Sequence, residues 1–144
     1  MSNIIELNNI SKTFDNKKKI TVLKNLNFKF KKGKIYSLSG PSGSGKSTLL
    51  NLLSLIDRPS SGGIKIDNQN INYNAIEIND KIRSNNIGIV YQDKNLLPDF
   101  TAIENVCLAS LAANNNYRMA EQESLKIIQK VGLKDRTNHY PSEL

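Results

Sequence analysis

The sequence predicts an α/β protein, and three observations along its 144 residues support that fold class. Apolar and polar residues alternate at Ile4–Ile10 and Val22–Phe30, as they do in strands with one buried face. A short apolar run at Lys34–Ser39 leads through a glycine-rich loop into the apolar helical segment Thr48–Ile56. Helical spacing of apolar residues then follows. We therefore expect antiparallel strands, a βαβ core and a helical subdomain, in that order.

Turn and capping signals place the remaining elements. The segment Arg58–Gly63 is rich in Pro, Ser and Gly and predicts a turn, while Thr101 and Glu104 form a T-x-x-E capping box that begins a helix. Residues 1–95 are expected to hold the β-rich part and the core, and residues 96–144 the helical subdomain. The other predicted elements are strands at Ile64–Asp67 and Ile87–Tyr91, and helices at Ala75–Arg83, Val106–Ala112 and Arg118–Val131.

The composition is that of an ordinary globular protein, with 38% hydrophobic and 23% charged residues. No apolar run approaches the roughly 18–20 residues that a membrane-spanning helix needs, and the N-terminal string MSNIIELNNI lacks the layout of a signal peptide. The single cysteine, Cys107, favours a reducing compartment, and its apolar neighbours predict a buried side chain. We expect a soluble chain that reaches a membrane through a partner.

The net charge of +7 is concentrated near the N-terminus. Residues 1–34 hold nine lysines against two carboxylates, whereas residues 35–144 hold eleven basic and eleven acidic residues. Lys29 and Lys31 alternate with phenylalanines, as on a strand with one solvated face. A solvated basic face is the favoured interpretation, and a surface for nucleic acid or acidic lipid is the alternative. No nucleic acid is expected as a partner, because no aromatic–basic motif of a known nucleic-acid-binding fold accompanies the lysines.

The most specific motif is a phosphate-binding loop of the pattern G-x-x-x-x-G-K-[ST]. It consists of Gly40, Pro41, Ser42, Gly43, Ser44, Gly45, Lys46 and Ser47. The three glycines let the backbone curl so that successive N–H groups point at a polyphosphate, and the following helix favours anions at its N-terminus. Lys46 places a cation on the β- and γ-phosphates, and Ser47 offers a hydroxyl to Mg²⁺. The loop alone does not separate kinases, GTPases and transport ATPases.

The strings around the loop resemble the ATPase subunits of ABC transporters. In that family the loop helix is followed by a P-x-S-G turn and a strand, as in GPSGSGKSTLLNLLSLIDRPSSGGIKIDNQNI. IGIVYQ resembles the family's Q-loop, while NLLPDFTAIENV and NHYPSEL are most similar to the subunits of lipoprotein-releasing exporters. That group includes macrolide-type exporters and a cell-division homologue. The resemblance covers essentially the whole chain and implies a P-loop NTPase fold of ABC type, with ATP and Mg²⁺ as ligands.

The same resemblance implies roles for individual residues. Phe14 occupies the place of an aromatic residue that stacks on adenine, although the family more often has tyrosine there. Gln92 is the Q-loop residue and the candidate catalytic residue, since it would reach Mg²⁺ or the attacking water. Ser47 would be the other Mg²⁺ ligand, and Thr48 would join the loop in the nucleotide site. The residues alone leave alternatives open: Phe14 as a core residue and Gln92 as the end of a surface strand.

Partners and a location are also implied by the resemblance. Integral membrane subunits would dock on the helical subdomain, and two ATPase subunits would form a homodimer. The protein would lie peripherally at the cytoplasmic face of the inner membrane and energise the release of lipoproteins toward the outer membrane. The ATPase of a macrolide or peptide exporter, or of a cell-division complex, is the alternative.

The sequence stops at Leu144, which would be the first residue of the family's signature motif. The resemblance therefore implies a chain without the signature, the Walker B carboxylate and the switch histidine, which binds ATP without turnover. Ser61-Gly62-Gly63 and His139 do not replace them: the first string leads into a strand and predicts a turn, and the histidine predicts a loop. A non-catalytic nucleotide-binding or interaction module is a second hypothesis. A small-molecule kinase is a third, which the Q-loop string disfavours.

Overall fold

A computed structural model of the protein describes residues 2–16, 18–92, 95–113 and 116–144. The chain divides between Gly88 and Ile89 into two compact units, called the first and the second unit below. The first unit contains a β-sheet, the phosphate-binding loop and two helices, and the second contains two helices and two short 3₁₀ turns. Within the described ranges, no helix is both long and apolar enough to cross a membrane.

Four strands form an antiparallel sheet in the first unit, in the order β2-β1-β3-β4. They are β1 (Asn3–Asn16), β2 (Lys18–Lys31), β3 (Ser61–Ile66) and β4 (Gln69–Asn70). The two long strands contain both segments with alternating residues, so the predicted antiparallel part is confirmed. The prediction of a turn as far as Gly63 is wrong, because Ser61 already pairs with Ser11 of β1.

A bulge in β1 explains why these turn-forming residues lie in a strand. The register between β1 and β3 shifts between Asn8 and Ser11, and Asn9 has a left-handed φ of 50°. Gly62 faces this bulge with a φ of 87°, and a Cβ atom there would overlap the carbonyl groups of Asn8 and Asn9. Glycine therefore serves a close approach between strands at this position.

One hydrophobic core joins the sheet to the helix that follows the loop. This helix, α1, spans Lys46–Leu53, and the second helix, α2, spans Ile76–Asn86, where a helix was predicted. The buried core residues are Leu7, Ile10, Leu49, Leu52, Leu55, Ile64, Ile66 and Ile71. The predicted helix through Ile56 is too long, and it is not buried all round: Leu50 is 57% exposed, because the core contacts one face of α1.

Two of the predicted strands are wrong. Neither Lys34–Ser39 nor Ile87–Tyr91 belongs to a sheet in the part of the chain that the structure describes. Ile35 and Val90 are fully exposed. A parallel strand needs a neighbour reached through a crossover connection, but β3, the strand after α1, pairs antiparallel with β1 instead. The described residues therefore contain no βαβ unit around the loop.

The second unit is built on α3 (Ala102–Ala113) and α4 (Tyr117–Lys130), which confirms both helices predicted there. The predicted capping box begins α3: the N–H and the hydroxyl of Thr101 each donate to a carboxylate oxygen of Glu104 at 2.7 Å. These bonds, the hydroxyl bond first, lower the pKa of Glu104. In return, the Glu104 N–H donates to the Thr101 hydroxyl at 3.4 Å.

Two side chains of the second unit occupy the surroundings that the sequence predicted. Cys107 is 4% exposed within α3, as a small buried hydrophobic residue should be. His139 lies in the connection between the 3₁₀ turns Lys134–Arg136 and Pro141–Glu143, and its carbonyl accepts the Ala102 N–H at 2.8 Å. His139 is therefore a loop residue, as predicted, and its backbone carbonyl caps the start of α3.

Candidate functional site

The phosphate-binding loop enters α1 through a glycine in the left-handed conformation. Gly45 is the N-cap of α1 with a φ of 88° and a ψ of 11°, and Gly43 has a φ of 79°. The Ser44 N–H donates to the Pro41 carbonyl at 3.3 Å, which closes a turn within the loop. Glycine adopts these positive φ values without the steric cost that a Cβ atom brings.

The loop rests directly on the sheet, and Gly45 is the point of contact. A Cβ atom at this position would lie 2.9 Å from Val22 Cγ1 and 3.1 Å from Leu23 Cδ2, both in β2. A side chain at this position would have to displace the side chains of Val22 and Leu23. The absence of a side chain at Gly45 therefore fixes how close the beginning of α1 lies to β2.

The N-terminus of α1 presents unpaired backbone donors. The first intrahelical bond runs from the Leu49 N–H to the Gly45 carbonyl at 2.9 Å, so the N–H groups of Lys46, Ser47 and Thr48 precede the helical ladder. The first turn of α1, all of whose residues the structure describes, contains no acidic side chain. The positive end of the helix dipole is therefore not neutralised from within the helix.

Lys46 adds a full positive charge to this end of the helix. Its ammonium donates to the Gly40 carbonyl at 2.9 Å and to the Pro41 carbonyl at 2.8 Å. A lysine ammonium has three protons, so these two bonds hold the cation above the loop and leave one donor. Ser47 follows with an exposed side chain. The loop, the amides and Lys46 thus form one continuous set of donors suited to a polyphosphate.

Phe14 lies on β1, opposite Ile20 of β2, and is 38% exposed. It is therefore not a buried core residue. The Nζ atom of Lys12 lies 5.0 Å from the centre of the Phe14 ring. Lys12 is 9% exposed and is one residue that sequence reasoning missed, together with its partner Asp57. The spacing of two between Lys12 and Phe14, which places them on one face of a strand, was the signal available.

Gln92 belongs to the second unit, where it is exposed in an irregular segment. The predicted strand that would have ended beside it does not form, and Tyr91 is 49% exposed. Gln92 is therefore an exposed loop residue of the second unit, whereas residues 40–48 belong to the first unit.

A cavity of about 340 Å³ lies in the first unit between the end of α1 and α2. Its lining residues are Leu55, Ile56, Asp57, Arg58, Tyr73, Ile76, Asn79, Asp80 and Arg83. Two buried atoms, the Tyr73 hydroxyl and Asn79 Oδ1, have no hydrogen-bond partner in the described part of the chain. Burial raises the pKa of the Tyr73 hydroxyl to about 12.

Comparison with protein families gives a match to the ABC transporter family over residues 23–144. The matched range includes the loop and Gln92, and it begins after Phe14. Among curated proteins, the lipoprotein-releasing system ATP-binding protein LolD of Wigglesworthia glossinidia brevipalpis is 41% identical over 98% of this chain and 62% of that protein. The protein of the same name from Cytophaga hutchinsonii is 38% identical over 100% of this chain and 64% of its own length.

Solved structures give the same result for the fold. A dimeric ATP-binding cassette in a post-hydrolysis state, bound to ADP and Pi, matches with a TM-score of 0.86 and 36% identity. The match covers 97% of this chain and 62% of that chain. The predicted fold of a nucleotide-binding ABC cassette is therefore confirmed for the region that this chain covers. The chain spans 62–64% of the length of the two curated relatives named above.

Proposed function

This chain belongs to the ABC transporter family, and we propose that it is the ATP-binding part of a subunit that energises the release of lipoproteins from the inner membrane. The observation that carries ATP binding is the set of unpaired amides at the start of α1, with the Lys46 ammonium beside them. The lipoprotein cargo rests on the names of the relatives, which are 38–41% identical to this chain.

In this proposal each part of the loop has a separate task. The N–H groups of Lys46, Ser47 and Thr48 bind phosphate oxygens, and the Lys46 ammonium balances charge on the terminal phosphates. The phosphate oxygens replace the carbonyls of Gly40 and Pro41 as acceptors for the ammonium. Phe14 lies on β1 opposite Ile20 of β2, is partly exposed, and supplies a ring face for adenine.

Mg²⁺ fits the oxygen donors that the chain offers. The Ser47 hydroxyl is exposed in the first turn of α1, and Mg²⁺ prefers hydroxyl, carboxylate and phosphate oxygens. When bound, Mg²⁺ neutralises phosphate charge. We also propose that Gln92, an exposed residue of the second unit, supplies an amide oxygen to the metal or to water.

Calorimetric titration of the chain with ATP in the presence of Mg²⁺ tests the proposal. We expect saturable binding, which Lys46→Ala weakens about 10- to 100-fold because it removes a charge-assisted contact. Lys34→Ala is the matched control, since Lys34 is an exposed lysine of the first unit that lies outside the loop, and it should leave the affinity unchanged. Equal affinities for the wild type and Lys46→Ala, or no binding by the wild type, would contradict ATP binding at this loop.

The second unit is proposed to dock on integral membrane subunits, which hold the protein at the cytoplasmic face of the inner membrane. Leu125 and Ile127 are large apolar residues of α4 that are 46% and 49% exposed. The homodimer of ATPase subunits is proposed from the dimeric state of the structural neighbour. Coexpression with the membrane subunits of a lipoprotein-releasing transporter should allow copurification, which Leu125→Asp disrupts and Ile76→Asp, on exposed α2, does not. Equal recovery of both variants contradicts docking through α4.

A further inference from the structure

We propose that Lys12 is a positioning residue for the nucleobase: it holds the Phe14 ring in place by covering one face and leaves the other face for adenine. This inference rests on the proposed function, because it presumes that Phe14 stacks on the base of a bound nucleotide. It adds a residue that acts through Phe14 and does not itself contact the ligand.

Lys12 is anchored at its charged end. The ammonium donates to Asp57 Oδ1 at 2.7 Å and to the Arg58 carbonyl at 2.8 Å, and the residue is 9% exposed. A surface lysine ordinarily keeps its ammonium in water on a flexible stem. Here two of the three protons are bound within the protein, so the position of the cation is fixed by the fold.

The anchored cation lies against Phe14. The Nζ atom is 5.0 Å from the ring centre, which is within the distance at which a cation is attracted to the negative face of an aromatic ring. Phe14 itself remains 38% exposed. A ring attracted to a fixed charge loses less conformational freedom when a base stacks on it, so part of the ordering cost is met before the nucleotide arrives.

The ion pair between Lys12 and Asp57 connects the Phe14 ring to the segment that follows α1. Asp57 lies in the connection that leaves α1, and its Oδ1 atom also accepts the Arg58 N–H at 2.7 Å. The Ser60 N–H donates to the Ser11 carbonyl at 2.8 Å, so this connection is also bound to β1 through its backbone. The start of α1 thus contacts β2 through Gly45, and the connection after α1 contacts β1 through Asp57. These contacts fix the phosphate-binding loop and the Phe14 ring relative to each other.

The affinities for ATP and for inorganic tripolyphosphate separate positioning from a purely structural role. Both ligands contact the loop, but ATP alone carries a base. Calorimetry on the full chain should show that Lys12→Met weakens ATP binding about two- to ten-fold, the range expected for a stacked or cation–π contact, while tripolyphosphate binding stays unchanged. Lys12→Arg keeps the charge and should restore the preference for ATP.

Two further variants make each outcome decisive. Lys12→Met combined with Asp57→Asn removes both charges, so that a folded protein is measured even if an unpaired Asp57 is poorly tolerated, and it should behave as Lys12→Met does. Phe14→Ala should lower the preference for ATP over tripolyphosphate at least as much as Lys12→Met. Equal weakening of both ligands by the Lys12 variants would assign Lys12 a structural role and overturn the inference.

The proposed function and this inference fail in different ways. If Phe14→Ala lowers the preference for ATP but the Lys12 variants retain it, the stacking role of Phe14 stands and the role of Lys12 is overturned. If Phe14→Ala leaves the preference unchanged, both the stacking role and the inference are overturned, while ATP binding at the loop is judged separately by Lys46→Ala.

Discussion

Two short apolar segments flank α1 along the chain, and in the described part of the chain only one of them forms a strand. The segment after α1 is β3, in which Ile64 and Ile66 are 1% and 5% exposed and pair with Leu7 and Ile5 of β1. The segment before the loop, Lys34–Ser39, has the same strand-like pattern, yet in the described part of the chain it pairs with nothing. An apolar pattern therefore shows which residues can form a strand, and the available partner decides whether they do.

The difference also shows what supports the phosphate-binding loop. The loop begins at an unpaired segment, but it ends on β2 through Gly45 and continues into a helix whose Leu49 and Leu52 lie in the core. The helical side of the loop is therefore anchored independently of Lys34–Ser39. The three amide donors and the Lys46 ammonium belong to that anchored side, which explains how the donor set forms beside an unpaired segment.

The largest expected effect is on stability, from equivalent truncations in the two segments. Ile64→Ala removes buried atoms from the core and should lower the free energy of unfolding by about 2–5 kcal/mol. Ile35→Ala changes a fully exposed side chain and should alter it by less than about 0.5 kcal/mol. Denaturation in urea, followed by circular dichroism, measures both.

The matched pair has the same chemistry at both positions, so only the environment differs. A loss of more than about 1 kcal/mol in Ile35→Ala would mean that Lys34–Ser39 is packed in solution, and the contrast between the two segments would then be wrong. A small loss in Ile64→Ala would instead place β3 outside the core.

A smaller effect is expected from two glycines within the loop, Gly45 at the start of α1 and Gly43 before it. Gly45→Ala introduces a side chain at a φ of 88° and within 2.9 Å of Val22 Cγ1, and it should cost about 2–3 kcal/mol and weaken ATP binding. Gly43→Ala meets the same conformational cost at a φ of 79° but has open space, so about 1–2 kcal/mol is expected. Urea denaturation of both variants measures the difference. Equal losses would show that contact with β2 does not anchor the loop.

The alternating strands and the capping box, which local signals specify, were predicted correctly. The alternation of β1 and β2, the capping box at Thr101 and the loop motif each depend on residues close together in sequence. The missed features depend on distant residues: Gly62 faces the β1 bulge, and Lys12 pairs with Asp57 across 45 positions. The sequence shows a lysine on a strand, but only the fold brings the carboxylate to it. For the same reason, the sequence of Lys34–Ser39 could not show that this segment has no strand partner in the described part of the chain.

The smallest expected effect concerns a polar group without a partner inside the otherwise well-packed first unit. Tyr73→Phe removes a buried hydroxyl that has no hydrogen bond in the described residues, so at pH 8 stability should stay equal or rise by up to about 1 kcal/mol. Tyr73→Leu is the control, because it also removes ring contacts with the core and should destabilise.

The pH dependence gives an independent measurement on the same residue. Tyr73 keeps its proton up to a pKa of about 12 in the folded state, against about 10 when unfolded. The free energy of unfolding is therefore independent of Tyr73 ionisation well below pH 10. It falls between pH 10 and pH 12, where the unfolded chain has already released the proton and the folded chain has not. Tyr73→Phe should gain stability relative to the wild type as urea denaturation is moved from pH 9 to pH 11. A constant difference between the two proteins over that range would show that the Tyr73 hydroxyl has the same pKa in the folded and unfolded states, and therefore that it is hydrated in the folded protein.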